Sequence, residues 1–362
     1  MKRILMIAPL PPPIHGSAMM TQYIKDSPII NEKLNLDWVN LSTSRRMDEI
    51  GKRSPLKAFR FIQSFFKTFW KLTTNRYDAY YIAITCHGVG FLKDAPFALL
   101  CKLFGKKLII HQHNKGMSAD VDRPIYRWLL PLVYRNSKVI LLSWRLYQDI
   151  EKVVKKENAV ICPNGIPLVK RLNKPPHPVP RLLFLSNLIE SKGVLTLLDA
   201  CKILKGKGYI FKCNFVGGET SEIDRDRFEK EVRARGLDKT TVYIGKKYGD
   251  DKQFEISKSD IFVFPTFYEN ECFPLVILEA MQQGVAVIST DEGGIPDIIQ
   301  SGNNGLIVPS KSVEELAEAI AKLLDDADYR LRIAENGYNT YNNKYTLKTF
   351  ETMISDILSK YN

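Results

Sequence analysis

DIFVFPTFYENECFPLVILEAMQQGVAVISTDEGGIP, residues 260–296, predicts a strand, a loop, a helix and a second strand. Ile261–Phe264 is wholly apolar, which is typical of a parallel strand covered on both faces. Leu275–Gln283 has the pattern of a helix, and Pro274 suits its first turn, where an N–H is not needed. Val285–Ile288 is again short and apolar. We therefore expect a helix between two buried parallel strands.

Two carboxylates of this stretch lie near the expected helix start. Glu271 is in the loop before the helix, and Glu279, eight positions later, is in its second turn. The free N–H groups at a helix N-terminus can hold phosphate, and a carboxylate beside them can accept hydrogen bonds from a sugar diol. Glutamate is also common at helix starts for electrostatic reasons alone. The spacing of the two glutamates is therefore not specific by itself, and the motifs around them must support the interpretation.

The order of the motifs supplies that context. After the aromatic strand come Pro265–Thr266, Glu271–Leu275, Glu279–Met281 and Gly293–Pro296. This order closely resembles the donor-site signature of glycosyltransferase family 4, the group 1 glycosyltransferases, whose members have the GT-B fold. The resemblance is strong over residues 181–310 and looser over the first 170 residues.

The composition indicates a globular protein of two domains. The chain has 362 residues, of which 45% are hydrophobic. No apolar run approaches the ~18 residues of a membrane span, and prolines interrupt the apolar start, which we interpret as a strand rather than a signal peptide. The six cysteines form no Cys-x-x-Cys motif. They favour reduced, buried thiols and a cytoplasmic location.

Positive charge is concentrated in the first half of the chain. Residues 1–170 contain 27 Lys and Arg against 12 Asp and Glu, whereas the rest contains 25 against 28, for a net charge of +12. Such a field could face anionic lipid, a phosphorylated acceptor or nucleic acid. No nucleic-acid motif accompanies it, so we expect no such partner. A peripheral position on the inner face of the membrane stays open beside a purely cytoplasmic one.

The first strand leads into a loop that suits a ligand. Arg3–Ala8 is followed by prolines, by His15, Gly16 and Ser17, and by a helix from about Ala18. Strand, glycine turn and helix form ligand loops at the carboxyl edge of a sheet, although a plain turn is the alternative. The resemblance implies that Gly16 and Ser17 lie over the donor diphosphate, with His15 where the family usually has a first glycine.

Residues 54–73 predict a basic, aromatic-rich helix. Its apolar residues recur at three- and four-residue spacing and form one stripe, made by Phe59, Ile62, Phe66, Phe69 and Trp70. We favour a helix that covers the sheet with this stripe. The alternative is an interfacial helix that its basic residues hold to anionic lipid. Phe61 and Phe65 lie off the stripe.

Another expected strand, Lys107–Ile110, is followed by two histidines. His111 and His113 are two positions apart and would share one face of a strand. Two histidines can bind metal, but no third ligand at a suitable spacing is visible, so we expect no metal. The resemblance implies a histidine beside the transferred sugar; His113 matches best and His111 is the fallback. With Asn114 and Lys115 they form the expected acceptor side.

The second domain is expected to open with the strand Arg181–Leu185. Lys192 follows at a loop-to-helix junction, where a lysine can neutralise phosphate; a solvated surface lysine is the alternative. The family pattern is Gly-Arg, a gap and Lys-Gly, and this chain has Asn187 in place of the arginine. One of two expected cations is therefore missing. Lys246 and Lys247 are candidates to replace it.

The resemblance implies roles for a larger set of residues. The expected donor-binding residues are Gly16, Ser17, Asn187, Lys192, Gly218, Glu271, Cys272, Phe273, Pro274, Leu275 and Glu279. The expected catalytic residues are His113, Lys192 and Glu271. Glu271 and the neighbouring amides would bind the sugar and phosphate, and Glu279 would bind the ribose hydroxyls. The donor would be a nucleotide-diphosphate sugar, with no cofactor and no metal.

Alternating strands and helices predict an α/β protein of two doubly wound, Rossmann-like domains, which the resemblance makes the halves of a GT-B fold facing a cleft. We expect an N-terminal acceptor-binding domain at 1–166, a proline-rich linker at 167–180 and a donor-binding domain at 181–344. The terminal helix at 345–362 would pack back on the first domain.

The resemblance implies a retaining glycosyltransferase that moves a hexosyl or N-acetylhexosaminyl group in the synthesis of a cell-surface polysaccharide or glycolipid. The expected acceptor is a saccharide, lipid-linked or phosphorylated. A catalytically weak or inactive sugar-nucleotide-binding protein is one alternative, which the missing arginine supports. A GT-B epimerase, which needs no acceptor, is another.

Overall fold

Two parallel sheets, each of six strands, organise the chain. The computed structural model describes residues 1–13, 15–46, 49, 54–173 and 177–360. One compact unit comprises Met1–Gly165 together with Leu347–Asn362, and the other comprises Ile166–Thr346. The predicted α/β class with two Rossmann-like domains is confirmed.

The strands of the first unit are short and mostly buried, which is typical of a parallel sheet covered on both faces. They are β1 (Lys2–Ala8), β2 (Leu34–Asn40), β3 (Ala79–Ile84), β4 (Lys107–Gln112), β5 (Ser137–Leu141) and β6 (Ala159–Ile161). Their order across the sheet is β2-β1-β3-β4-β5-β6. The chain steps from β1 to β2 on one side and then continues on the other side of β1. This reversal creates a switch point between β1 and β3.

Helices fill the connections between these strands. They are α1 (Gly16–Asp26), α2 (Pro28–Asn31), α3 (Pro55–Thr74), α4 (Gly88–Leu103), α5 (Met117–Asp120) and α6 (Pro124–Tyr134). The crossovers that carry α3, α4 and α6 run in one direction across the sheet, so right-handed connections place these three helices on the same face. In agreement, α4 packs against both α3 and α6.

The first helix begins earlier than predicted, at Gly16 rather than near Ala18. His15 is its N-cap residue, and the ring Nδ1 of His15 accepts a hydrogen bond from the amide of Ala18 over 3.4 Å. The predicted glycine turn is therefore a helix start. Gly16 has open space around it, so the backbone at this point does not depend on glycine.

The predicted packing stripe of α3 faces away from the core, so that interpretation is wrong. Phe66 is 64% exposed and Trp70 is 68% exposed. Phe61 and Phe65 pack instead against the ring of Phe97 in α4, with centroid distances of 5.4 and 5.6 Å.

A second stripe explains this orientation of α3. Phe61 and Phe65 are followed at helical spacing by Thr68 and Leu72, which are buried. The helix therefore carries apolar side chains on two faces. Periodicity alone does not determine which of two such faces meets the sheet.

Replacing Phe65 by alanine should lower the free energy of unfolding by about 2 kcal/mol, because its ring packs against the core. The neighbouring change Phe66→Ala should stay within about 0.5 kcal/mol, because that side chain is exposed. Urea unfolding of the two variants measures both values. A larger loss for Phe66→Ala would contradict the observed orientation of α3.

The sheet of the second unit repeats the plan of the first. Its strands are β7 (Arg181–Leu185), β8 (Lys212–Val216), β9 (Thr241–Gly245), β10 (Ile261–Phe264), β11 (Ala286–Thr290) and β12 (Leu306–Val308). Their order is β12-β11-β10-β7-β8-β9, with all pairs parallel. After β9 the chain returns to the other side of β7. The switch point of this unit therefore lies between β7 and β10.

The helices of the second unit include the one predicted from the central stretch. They are α7 (Val194–Gly206), α8 (Arg225–Ala234), α9 (Gly249–Ser257), α10 (Leu275–Gln282), α11 (Ile295–Ile298), α12 (Val313–Asp325) and α13 (Ala327–Lys344). Pro274 is the N-cap residue of α10 and precedes its first turn, which corrects the predicted position by one residue.

Residues 174–176 of the predicted linker lie outside the described residues. Earlier in the linker, the amide of Leu172 donates to the side chain of Gln283 over 3.1 Å, and Arg171 pairs with Glu335 at 2.7 Å. The final helix, α14 (Leu347–Lys360), belongs to the first unit and packs against α2, as predicted. Residues 361–362 lie outside the described part of the chain.

Candidate active site

Lys192 and Glu271 form an ion pair at the switch point of the second unit. Lys192 follows β7 and Glu271 follows β10, two neighbouring parallel strands whose carboxyl ends meet at one edge. The Lys192 Nζ lies 2.6 Å from the Glu271 Oε2, and the two side chains are 16% and 11% exposed. The ring of Tyr268 lies under the ammonium, 4.2 Å from Nζ to the centroid. Two predicted site residues far apart in sequence are thus brought together.

Two glycines allow the loops to approach each other here. Gly193 has φ +87°, and a Cβ at this position would lie 2.2 Å from the carbonyl oxygen of Pro265. Gly293 has φ +54°, and a Cβ there would lie 2.1 Å from the carbonyl oxygen of Glu271. Both the backbone conformation and the spacing therefore exclude larger residues. Without these glycines the loops after β7 and β10 would move apart.

The helix α10 begins at Leu275, a short stretch after Glu271. Cys272 and Phe273 are buried, and the Phe273 ring meets Tyr345 edge-on, with centroids 5.7 Å apart. The amides of Leu275 and Val276 are helix-start N–H groups that have no acceptor within the helix, whereas the amide of Ile277 donates to the carbonyl oxygen of Pro274 over 3.2 Å. Such a start carries partial positive charge and suits phosphate.

Glu279 lies further along α10 and has one oxygen to spare. Its Oε1 is 2.7 Å from the Nζ of Lys252 in α9. Its Oε2 is buried and has no hydrogen-bond partner among the described residues. A buried carboxylate oxygen without a donor is costly, so a ligand hydroxyl at this position would be stabilising.

Asn187 shares the switch-point edge with a nearby lysine. The amide of Gly218, after β8, donates to Asn187 Oδ1 over 3.3 Å. The Cδ and Cε of Lys246 lie 3.7 Å from the point where a Cβ on Gly218 would be. Lys246 therefore reaches the loop that Asn187 contacts, whereas Lys247 is directed to Asp251, 3.8 Å away.

A pocket of about 260 Å³ opens at the corresponding edge of the first unit. It lies beyond the carboxyl ends of β1 to β4, around the switch point between β1 and β3. Its polar lining residues are His15, Ser17, Ser42, Thr43, Ser44, Thr85, Lys93, Asp94, His113 and Asn114. His113 and Asn114 of the predicted acceptor side, and Ser17, predicted for the donor, thus share one pocket.

Of the two predicted histidines, His113 lines the pocket and His111 lies behind it. Their rings are 4.1 Å apart, and the Nδ1 of His111 is 2.7 Å from the hydroxyl of Tyr81. Both ring nitrogens of His113 are buried without a hydrogen-bond partner in the described chain. Asn114 accepts from the amide of Cys86 over 3.2 Å, and Lys115 does not line the pocket.

Lys93 and Asp94 of α4 line the pocket and were not predicted from the sequence. Asp94 is buried and accepts a hydrogen bond from the amide of Thr85 over 3.0 Å, and the Nζ of Lys93 lies 3.2 Å from it. The available signal was a charged pair inside an otherwise apolar helix. A buried carboxylate in such a helix needs a donor, which here the end of β3 supplies.

Neither unit shows a metal cluster or a membrane-spanning helix in the part of the chain that the structure describes. No group of three or more His, Cys, Asp or Glu residues there is placed to hold a metal ion. Within the same residues, no helix combines the length and apolar character that a membrane crossing requires.

Comparison with known proteins identifies the family. The model of "Glycosyl transferases group 1" matches residues 167–340. The alpha-D-kanosaminyltransferase of Streptomyces kanamyceticus is 30% identical over 297 residues, which are 75% of this chain and 75% of that protein. The chain belongs to the group 1 glycosyltransferases. The sequence resemblance and the predicted GT-B fold are confirmed at this level.

Two further comparisons, one with a curated relative and one with a solved structure, extend the picture. The amylovoran biosynthesis glycosyltransferase AmsK of Erwinia amylovora is 25% identical over 202 residues, 53% of this chain but only 49% of that protein. The crystal structure of Anabaena HepE in complex with UDP superposes with a TM-score of 0.74, at 18% identity, over 99% of this chain and 100% of that one. At that identity, the structural likeness shows the fold alone.

Burial keeps the pocket histidines of this glycosyltransferase neutral. It lowers the pKa of His113 to about 4, with a further contribution from the charge of His15. The pKa of His111 is also lowered, and that of His15 is lowered by burial and by Lys93. At pH 7 each ring therefore offers one donor and one acceptor nitrogen.

The first unit should lose stability on acidification, because the unfolded chain takes up protons at these histidines first. For His113 the loss begins below the unfolded pKa of about 6.5 and approaches 2 kcal/mol, to order of magnitude, by about pH 5. Thermal unfolding between pH 7 and pH 5 measures the slope, which His113→Gln should reduce. Equal slopes for wild type and His113→Gln would contradict this account.

Proposed function

We propose that the protein is a retaining, metal-independent glycosyltransferase that moves a sugar from a nucleotide-diphosphate sugar to a saccharide acceptor. The acceptor is lipid-linked or phosphorylated and belongs to a cell-surface polysaccharide or glycolipid. The observation that carries the proposal is the buried Lys192–Glu271 pair beside the start of α10, at the switch point of the second sheet. This combination offers a cation, helix-start amides and a carboxylate to one sugar-diphosphate.

The relatives support the reaction class and leave the sugar open. One is named for kanosaminyl transfer and one for amylovoran biosynthesis. The HepE structure contains UDP, and another structure of the same protein contains UDP-glucose. A nucleotide-diphosphate sugar is therefore our proposed donor.

On the donor side, each group has a separate task. Lys192 neutralises the charge that develops on the departing diphosphate, together with the amides at the start of α10. When phosphate engages Lys192, Glu271 is released from its ion pair and accepts hydrogen bonds from sugar hydroxyls. The free Oε2 of Glu279 accepts a bond from a ribose hydroxyl.

The mechanism we propose needs no carboxylate base. The acceptor attacks on the face that the diphosphate leaves, and a phosphate oxygen of the donor takes the acceptor proton. The two glutamates are then ligands of the donor rather than an acid–base pair. We assign the pocket that His113 lines to the acceptor, whose hydroxyls would satisfy the two free ring nitrogens.

The chief alternative is a protein that binds the donor without efficient transfer, because Asn187 carries no charge where the family has arginine. Release of nucleotide diphosphate with and without an oligosaccharide acceptor separates the candidates. Transfer requires the acceptor, an epimerase changes the donor without one, and an inactive relative does neither.

Replacing Lys192 by alanine should lower kcat/KM about 10²- to 10³-fold, because charge on the leaving diphosphate loses its counter-ion. The matched control is Lys258→Ala. Lys258 pairs with Glu255 at 2.7 Å, and those side chains are 17% and 9% exposed, close to the values for the pair at the site. Both changes break a mostly buried ion pair and should destabilise the fold comparably. Calorimetric titration with nucleotide diphosphates and steady-state kinetics distinguish them, since only Lys192→Ala should weaken donor binding. Equal donor affinity in the two variants would contradict the proposed role.

Lys246 should act as the second cation in place of the missing arginine. Lys246→Ala is expected to raise the KM for the donor about tenfold, the effect of losing one charge-assisted contact of about 1.4 kcal/mol. Lys247→Ala is the control, because Lys247 is directed to Asp251. If both changes have the same small effect on donor KM, Lys246 does not contact the diphosphate.

A further inference from the structure

Two helices on one face of the first unit expose rows of large apolar side chains. On α3 these include Phe59, Phe66 and Trp70, and on α6 they are Ile125, Trp128 and Leu132. We call these six residues the docking face. Both helices pack against α4, which lies between them, so the two rows are on the same face of the sheet.

The exposed rows are not needed to build the core. In α6, Ile125, Trp128 and Leu132 recur at helical spacing on the outside, with Trp128 80% exposed, while Leu130 and Val133 are fully buried. In α3 the core is likewise met by the stripe of Phe61 and Phe65. Each helix therefore carries a second apolar face that folding leaves in water. Exposed rows of large apolar side chains of this kind mark an interaction site.

The charged residues on these helices indicate which kind of partner the docking face binds. Residues 55–74 contain four basic residues and no Asp or Glu, and residues 124–134 contain one arginine and again no acidic residue. Lys67 and Arg127 are exposed beside the apolar rows. In α4 the single acidic residue, Asp94, is buried. On these two helices Lys67 and Arg127 border the docking face, whereas Lys71 pairs with Asp37 at 2.5 Å and the guanidinium of Arg60 lies 3.9 Å from a carboxylate oxygen of Glu49.

We propose that the docking face binds the surface of an anionic lipid bilayer. Aromatic side chains enter the boundary between headgroups and acyl chains, while Lys67 and Arg127 extend toward anionic headgroups. A second copy of the chain is a poorer occupant, because a two-fold contact through this face would bring like charges together. The proposal goes beyond the proposed function and does not depend on it, since adsorption needs neither donor nor acceptor.

The direct test is flotation of the intact protein with vesicles of phosphatidylcholine, alone or with about 30% phosphatidylglycerol. The wild type should bind the anionic vesicles, and Trp70→Ser combined with Trp128→Ser should reduce the bound fraction about tenfold or more. The control pair is Ile210→Ser with Leu331→Ser, two exposed apolar residues of the second unit. It should bind as the wild type does. Thermal midpoints of all three proteins establish that each is folded.

Two further readouts make the outcome decisive. Lys67→Glu should weaken binding to anionic vesicles, and added salt should weaken wild-type binding, because the basic border acts through screened charges. Failure of the wild type to float, or equal flotation of the tryptophan variant, overturns the proposal. So does a concentration-dependent dimer, detected by light scattering, that the tryptophan changes dissociate.

Discussion

The reversal of strand order in each parallel sheet is the constraint on which the candidate sites depend. At the reversal, the chain leaves two neighbouring strands in opposite directions, so their carboxyl ends open onto a crevice that no crossover helix covers. In the second unit this occurs between β7 and β10, and in the first between β1 and β3. Each reversal gathers residues that are distant in sequence. Lys192 meets Glu271 at one, and His15 and His113 line the pocket at the other.

The buried ion pair at β7 and β10 connects stability with function. Two charges held largely out of water stabilise little unless their partners are well placed, because desolvation offsets most of the attraction. The geometry is maintained by glycines that have no room for a Cβ, at Gly193 and Gly293. In a site of this kind, the lysine can exchange its carboxylate partner for an anionic ligand. In the function we propose, the carboxylate holds the ammonium in place until the donor phosphate replaces it.

Much of this site could be predicted from the sequence because the signals are local. The strands Ile261–Phe264 and Arg181–Leu185 agree with the prediction at both ends, and Glu271 and Lys192 lie in the connections that follow them. The roles of these residues stay predictions, since their placement alone does not test them. The pair Lys93 and Asp94 was missed because only the packing of α4 against the end of β3 gives it meaning.

The predicted orientation of α3 was wrong for a different physical reason. Two apolar stripes at helical spacing satisfy the same periodic pattern, and the core selects between them by the shape of its neighbours, here the ring of Phe97. The stripe with the larger count of aromatic residues faces outward. The residue pattern therefore predicted the helix α3 but not its rotation about the helix axis. That rotation exposes the aromatic row that forms part of the docking face.

The central claim is that the switch point of the second unit binds a nucleotide diphosphate. It is tested most directly by thermal shift of the purified protein with UDP, GDP, ADP and their sugars, in the presence of a metal chelator. The account predicts that one nucleotide diphosphate and its sugar raise the unfolding midpoint, and that the corresponding monophosphate raises it less, because it lacks the phosphate that Lys192 would neutralise. No shift with any nucleotide would contradict the account.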